Sequence, residues 1–293
     1  MLSKTKLRDC RIAIIGLGLM GGSLALALRE HCQSIFGVDA HPSTLYYAIK
    51  QKIIDWGEPR LTNELQGQDL LILATPVKAI LELIPVLPKW ITEATLVMDI
   101  GSTKRQIMDA YHRLPGSYEA VGGHPMCGKA SGGIASAEKT LYHNASFALI
   151  RSNNTTSKSV QLAENLVRAI GAEPQWLDAE THDEMTASIS HLPYLISSAL
   201  VQATPDTSSR LAGPGFHSTS RLAATPLSMM GDVLETNRDE ILTSLDRFLA
   251  DLQSYRQLLA EGNVTQLQRL LSKTREKYFS LLQSMNQAVS NED

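Results

Sequence analysis

A chain of 293 residues, 43% of them hydrophobic, has enough apolar material for two domains of ordinary size. Its 27 basic and 30 acidic residues leave a net charge of -3 with no long run of either sign, which argues against nucleic acid or another polyanion as a partner. Cys10, Cys32 and Cys127 are odd in number and lack metal-ligand spacing, so a reducing, cytoplasmic setting without a metal site is expected; no apolar run reaches membrane-spanning length and no secretory h-region follows the charged start, so the chain is expected to be neither exported nor inserted.

From residue 10 onward, short β-rich runs alternate with helical stretches. The runs are CRIAII, SIFGVD, DLLILAT, TLVMDI, ASFALI and PQWLD, and LALALREH and STLYYAIKQK between them suit helices packed on a sheet. This alternation predicts an α/β first domain over residues 1–177, built on a mostly parallel, doubly wound sheet. After about residue 178 the strand signal fades, and the stretches at 182–203, 226–260 and 264–285 read as long helices, giving an all-α second domain over 178–293. In the last stretch Val264, Leu267, Leu270 and Leu271 recur at helical spacing; such a stripe is covered either within the chain or by a second copy in a homodimer.

CRIAII runs into GLGLMGGS, where Gly16, Gly18 and Gly21 form a GxGxxG pattern after a strand and before a helix, with Leu19 and Met20 between the last two glycines. The first glycine suits a tight turn, the second the close approach of a pyrophosphate, the third close packing of helix on strand. The helix N-terminus then offers free N–H groups and a positive dipole end to phosphates. SIFGVD ends at Asp39, where a carboxylate can accept hydrogen bonds from ribose hydroxyls and would repel a 2′-phosphate. The AHPS that follows supplies no arginine, so NAD is expected rather than NADP; a plain turn aspartate is the competing reading. Thr75 and Pro76 close the third strand where a ligand crevice is expected, unless they only stop the strand.

TLVMDI leads into GSTK, where Ser102 either caps the next helix or bonds a substrate hydroxyl. His124 follows the short run YEAV in GGHPM; a neutral imidazole there can take a proton from an alcohol while hydride leaves the same carbon, and Pro125 biases it toward an extended backbone on a stiff turn. A turn histidine without function, and a nucleophilic pair with Cys127, are the other readings of this stretch.

The phosphate loop, Asp39, DIGSTK, GGHPM with its trailing glycine-rich loop, the SHLP helix and the GF segment ending in Arg221 come in an order that resembles the prephenate/arogenate dehydrogenases of tyrosine biosynthesis, over nearly the whole chain. The resemblance implies a Rossmann-type N-terminal domain, a helical domain that dimerises, NAD as cofactor and an active site in the cleft between domains. It implies a catalytic role for His124 at the substrate's ring hydroxyl, assisted by Ser102, a carboxylate-holding role for Arg221, whose planar fork suits that task, and a substrate-facing helix carrying Ser190, His191 and Tyr194. His191 also reads as a buried structural histidine, and Arg221, taken alone, as a surface or salt-bridge residue. Four positions depart from the family pattern: Tyr194 stands where many members have a histidine, Ala130 where a glutamate is frequent, and His217 and Ser218 where Arg-Asp is frequent. The loss of both acidic positions favours prephenate over arogenate, whose ammonium asks for an anion. A different two-domain NAD(P) hydroxyacid dehydrogenase, and a nucleotide-binding protein without turnover, are the alternatives.

Overall fold

The structure is a computed structural model that describes residues 6–91, 95–129 and 131–290. The described strands are β1 (Arg11–Ile15), β2 (Ser34–Val38), β3 (Trp56–Glu58), β4 (Leu70–Leu73), β5 (Leu96–Asp99), β6 (Glu119–Pro125), β7 (Ser146–Arg151) and β8 (Glu173–Leu177). They form one sheet in the order β3-β2-β1-β4-β5-β6-β7-β8. β1 to β6 run parallel, β7 pairs antiparallel with β6, and β8 lies parallel to β7. The chain winds outward from β1 to β3 and then returns to the other flank of β1 as β4, so the strand order reverses between β1 and β4, where an open α/β sheet leaves a crevice beyond its carboxyl ends.

The helices are α1 (Leu19–Leu28), α2 (Pro42–Lys50), α3 (Val77–Leu83), α4 (Arg105–His112), α5 (Ser157–Ala169), α6 (Ala179–Thr186), α7 (Leu192–Ala203), α8 (Pro214–Ser220), α9 (Leu227–Thr236), α10 (Arg238–Ala260) and α11 (Val264–Ser290). Because strand side chains alternate between faces, the runs that read as continuous apolar text supply two cores. Ile12, Ile14, Ile35, Ile72 and Met98 pack with Leu24 and Leu28 of α1, Leu45 of α2 and Leu162 and Leu166 of α5. Ala13, Ile15, Phe36, Leu71, Leu73 and Val97 pack on the other face with Ile80 of α3 and Ile107, Met108 and Tyr111 of α4.

By compactness the chain divides into Met1–Arg238 and Asp239–Asp293, so α6 to α9 belong with the sheet although the change from strands to helices falls just after β8. The long helices expected after residue 178 are interrupted. Between α6 and α7, Ala187–His191 forms a π-helical turn; Pro193 has no N–H to offer the carbonyl of residue 189, which favours such a local widening. The stretch at 226–260 breaks at Asn237, which leaves helical geometry at φ -125° and ψ 29° while its side chain is drawn into tertiary hydrogen bonds.

In the second unit, Gly262 at φ +67° ends α10 in the left-handed conformation that glycine adopts without penalty, and Asn263 Oδ1 accepts the Gln266 N–H to start α11. Of the expected stripe, Leu267 is 9% exposed and Leu270 half-buried, but Val264 is 51% and Leu271 47% exposed, so the described residues leave half of that stripe uncovered.

Candidate active site

The carboxyl ends of the adjacent parallel strands β1, β4, β5 and β6 carry, in that order, the glycine turn, Thr75 and Pro76, Ser102, and His124. At about 4.8 Å per strand the row spans about 14 Å. Gly16 adopts φ +95°, and a Cβ there would lie 2.7 Å from the Ala74 carbonyl oxygen and 2.8 Å from Thr75 Cγ2, so both conformation and space demand glycine at the switch point. A Cβ on Gly18 would meet nothing within 4 Å among the described residues, whereas one on Gly21 would run into the Gly16 carbonyl. Leu19 and Met20 open α1 and are half-buried. Asp39 Oδ2 accepts the Leu17 N–H at 2.9 Å and Oδ1 accepts the His41 N–H at 2.9 Å, so the carboxylate stands against the glycine turn with lone pairs to spare. Thr75 Oγ1 is buried without a partner among the described residues, and Pro76 is exposed at the start of α3. An open second glycine, an unsatisfied hydroxyl and a carboxylate at the neighbouring strand end form a cradle that suits a dinucleotide.

His124 does not lie on a corner, as its glycine-rich surroundings suggested, but inside β6, opposite Ala148 of β7; the chain turns only after Pro125. The glycines before it answer to packing, since a Cβ on Gly122 would lie 2.7 Å from Met108 Sδ and one on Gly123 2.5 Å from the Asp99 carbonyl oxygen. Beneath this strand end the fully buried Lys104 donates from Nζ to the Asp99 carboxylate and, at 2.7 Å, to the Gly123 carbonyl. Burial pulls Lys104 down and pushes Asp99 up from their ordinary values, against their mutual attraction. The loop beyond His124 folds onto α1, where the Tyr142 hydroxyl donates to the Met20 carbonyl at 2.7 Å and the Glu138 N–H donates to Ser23 Oγ at 2.9 Å. Ala130, in that loop, lies outside the described residues.

His124 Nδ1 lies 2.9 Å from Nε2 of His182 on α6, and His182 Nδ1 lies 2.8 Å from Asp183 Oδ1. Asp183 also caps α4, accepting the N–H of Lys104 at 2.8 Å and of Arg105 at 2.9 Å. Ser102 therefore does not cap α4; it is half-buried in the loop after β5, and among the described residues no hydrogen bond joins it to His124. Burial holds His124 well below the usual imidazole range, with His182, Lys104 and His191 adding to the effect. For Asp183, hydrogen bonds from His182 and from the backbone of Arg105 and Lys104 outweigh burial and keep it below the usual carboxylate range.

His191 sits at the end of the π-helical turn, 2% exposed, and its Nδ1 faces Asn237 Nδ2 at 3.2 Å; burial pushes it down to about 4. Asn237 Nδ2 also donates to the Asp183 carbonyl at 2.8 Å, which ties His191 to the Asp183 backbone. Ser190 is half-buried on the same turn and Tyr194 is buried on α7. Arg221 is exposed in a 3-10 turn, Arg221–Ala224, that packs against α7; among the described residues it makes no ion pair or hydrogen bond. His217 and Ser218 are exposed on α8. Cys127 is half-buried, and burial pushes its thiol up to about 11, which keeps it protonated at neutral pH and unsuited to nucleophilic work. The sequence reading did not single out His182, Asp183 or Asn237. HDEM opens a helix like many others, and only the approach of α6 to β6 and α4 gives those side chains partners.

A reversed strand order beside a glycine turn, with a half-buried imidazole held below its usual range a few strands away, defines a nucleotide-binding α/β dehydrogenase. The family model for the prephenate dehydrogenase nucleotide-binding domain matches residues 24–175, and that for the prephenate dehydrogenase dimerization domain matches residues 178–273. The chain is 31% identical over 277 residues to a prephenate dehydrogenase of Bacillus subtilis (strain 168), covering 91% of this chain and 74% of that one. Similar solved structures include two of note. One is prephenate dehydrogenase from A. aeolicus in complex with hydroxyphenyl propionate and NAD+, with a TM-score of 0.85, 25% identity and coverage of 93% of this chain and 98% of that one. The other is Synechocystis arogenate dehydrogenase, with a TM-score of 0.77, 28% identity and coverage of 92% and 99%. The chain belongs to the prephenate dehydrogenase family.

Proposed function

We propose that this protein catalyses the NAD-dependent oxidative decarboxylation of prephenate to 4-hydroxyphenylpyruvate. The observation that carries the reading is His124, a neutral imidazole at the end of β6, in the same row of strand ends as the glycine turn. Gly16, Gly18, Leu19, Met20 and Gly21 would hold the pyrophosphate, Asp39 the adenosine ribose, and Thr75 and Pro76 the wall of the cleft. When bound, NAD supplies the hydride acceptor.

His124 takes the proton of the 4-hydroxyl as the C–H bond at that carbon gives up its hydride, and Ser102, whose hydroxyl is not used to cap α4, bonds the same oxygen. The bond to the ring carboxylate then breaks, its electron pair completes the aromatic ring, the 4-oxygen takes its proton back from His124 and CO₂ leaves. Aromatisation supplies the driving force, so the residues chiefly orient the substrate. Arg221, charged and free of partners among the described residues, holds a substrate carboxylate through its planar fork, and Ser190, His191 and Tyr194 line the facing helix. We assign residues 1–177 to the dinucleotide domain and 178–293 to a helical substrate and dimerisation domain. Two copies would cover the stripe at Val264 and Leu271. Free thiols at Cys10, Cys32 and Cys127 accord with a reducing, cytoplasmic setting.

Purified protein given NAD and prephenate should form NADH, and His124→Asn should lower kcat by about 10²-fold or more while NAD affinity is kept. Turnover unchanged by that substitution would overturn the assignment of His124. A kcat/KM for arogenate at least about tenfold above that for prephenate would reverse the substrate preference.

A further inference from the structure

His124 has two ring nitrogens, and only one of them can be the proton acceptor. Its Nδ1 is already engaged, 2.9 Å from Nε2 of His182. Which of the two carries the hydrogen follows from the far end of the chain. Asp183 Oδ1 and Oδ2 accept the backbone N–H groups of Lys104 and Arg105, and Arg105 Nε adds a third donor at 3.4 Å. An ionised carboxylate has no hydrogen to give, so His182 Nδ1, 2.8 Å from Oδ1, must be the donor of that pair. A neutral His182 then has a bare Nε2, which can only accept, and the hydrogen between the two rings must belong to His124 Nδ1. Nε2 of His124 is left with its lone pair.

We propose that His182 and Asp183 are positioning residues that lock the proton of neutral His124 on Nδ1 and so reserve Nε2 as the acceptor for the substrate hydroxyl. This rests on the reading of His124 as the proton acceptor. The arrangement also serves the moment of reaction. When Nε2 gains a proton, the Nδ1–H bond to His182 becomes charge-assisted, and the Asp183 carboxylate at the end of the chain stabilises the cation. The rings meet edge to face at 66°, an orientation that lets the donor of one point at the lone pair of the other. All three partners are held by groups outside the relay: His124 by the strand that Lys104 grips at the Gly123 carbonyl, Asp183 by the α4 N-terminus, and α6 by Asn237, which donates to the Asp183 carbonyl. Burial lowers His182 as well, in keeping with a neutral ring. The charged and titratable groups that bear on His124 are His182 and Asp183 on α6, His191 on the π-helical turn, and Lys104 and Asp99 beneath the strand.

Nitrogen NMR of the intact protein with ¹⁵N-labelled histidine, near pH 7.5, tests this directly. Nδ1 of His124 and of His182 should be protonated and their Nε2 bare, while His191, whose Nδ1 accepts from Asn237, should show the opposite tautomer. A protonated Nε2 on His124 would overturn the proposal, whatever the behaviour of any variant. In kinetics, His182→Phe keeps a ring but removes the acceptor. It should lower kcat by about 10²-fold, leave the KM for prephenate within about threefold, and move the acid limb of kcat/KM, because a ring that bears on the titration of His124 is gone. His182→Gln, which returns an acceptor oxygen, should recover at least about tenfold of the loss. A His182→Phe enzyme that melts earlier but keeps kcat and its acid limb would show a merely structural residue and sink the proposal. If His124→Asn leaves turnover intact, it is the reading of His124 that fails, and the tautomer measured by NMR still decides the relay.

Discussion

Acid should unfold this protein through His191. The side chain is 2% exposed, and its pKa is pushed from 6.5 to about 4 by burial. In the window between those values the unfolded chain binds a proton that the folded chain refuses, so stability is complete above pH 6.5 and is lost as the pH falls. The whole shift corresponds to about 3 kcal/mol, of which about 1.5 kcal/mol is gone at pH 5.5 and about 2.5 kcal/mol at pH 4.5. His124 and His182 are lowered by burial too and act in the same direction, so the wild-type slope should be steeper than His191 alone would make it. Replacing His191 with Gln keeps an acceptor for Asn237 and removes the titration. Urea unfolding at pH 7.5, 5.5 and 4.5 should show the variant losing about 2.5 kcal/mol less than the wild type over that range. Parallel stability profiles for the two proteins would refute the claim that His191 is buried and neutral.

Three further outcomes follow from the same contacts. Gly123→Ala puts a Cβ 2.5 Å from the Asp99 carbonyl oxygen, so β5 and β6 must part; a loss of about 1–3 kcal/mol in urea unfolding, with a fall in kcat as His124 moves, is expected. Lys104→Met strands the Asp99 carboxylate in the core and should cost about 3–5 kcal/mol, much of it regained in the double variant Lys104→Met/Asp99→Leu, which a double-mutant cycle by thermal unfolding would measure. Leu271→Asp places a charge on the uncovered stripe of α11 and should convert a dimer to a monomer in sedimentation velocity at equal loading, while a monomeric wild type would remove the case for a second copy.

The glycine turn, the apolar strands and Asp39 were legible because each is a local device. A GxGxxG turn needs only its own few residues and the neighbouring strand, and alternation of burial along a strand repeats every second residue. His124 was legible for the same reason, as a histidine held by a proline at a strand end, although the sequence suggests a stiff turn there and only the structure shows the preceding glycines to be the room that Asp99 and Met108 require. The long helices were overread, since helical periodicity says nothing about a π-helical turn or about an asparagine whose side chain is pulled out of line by tertiary bonds.

The amino-acid sequence by itself determined the α/β frame, the nucleotide turn and the presence of an imidazole beside it, because propensity, periodicity and turn chemistry act over a few residues. Only the tertiary structure decided what that imidazole can do. His124 and His182 are 58 residues apart, and Asp183 reaches Lys104 across 79, so no local pattern records them as neighbours. Burial of these groups against one another is what sets their charge, and the hydrogen bonds between them are what choose the nitrogen that stays bare.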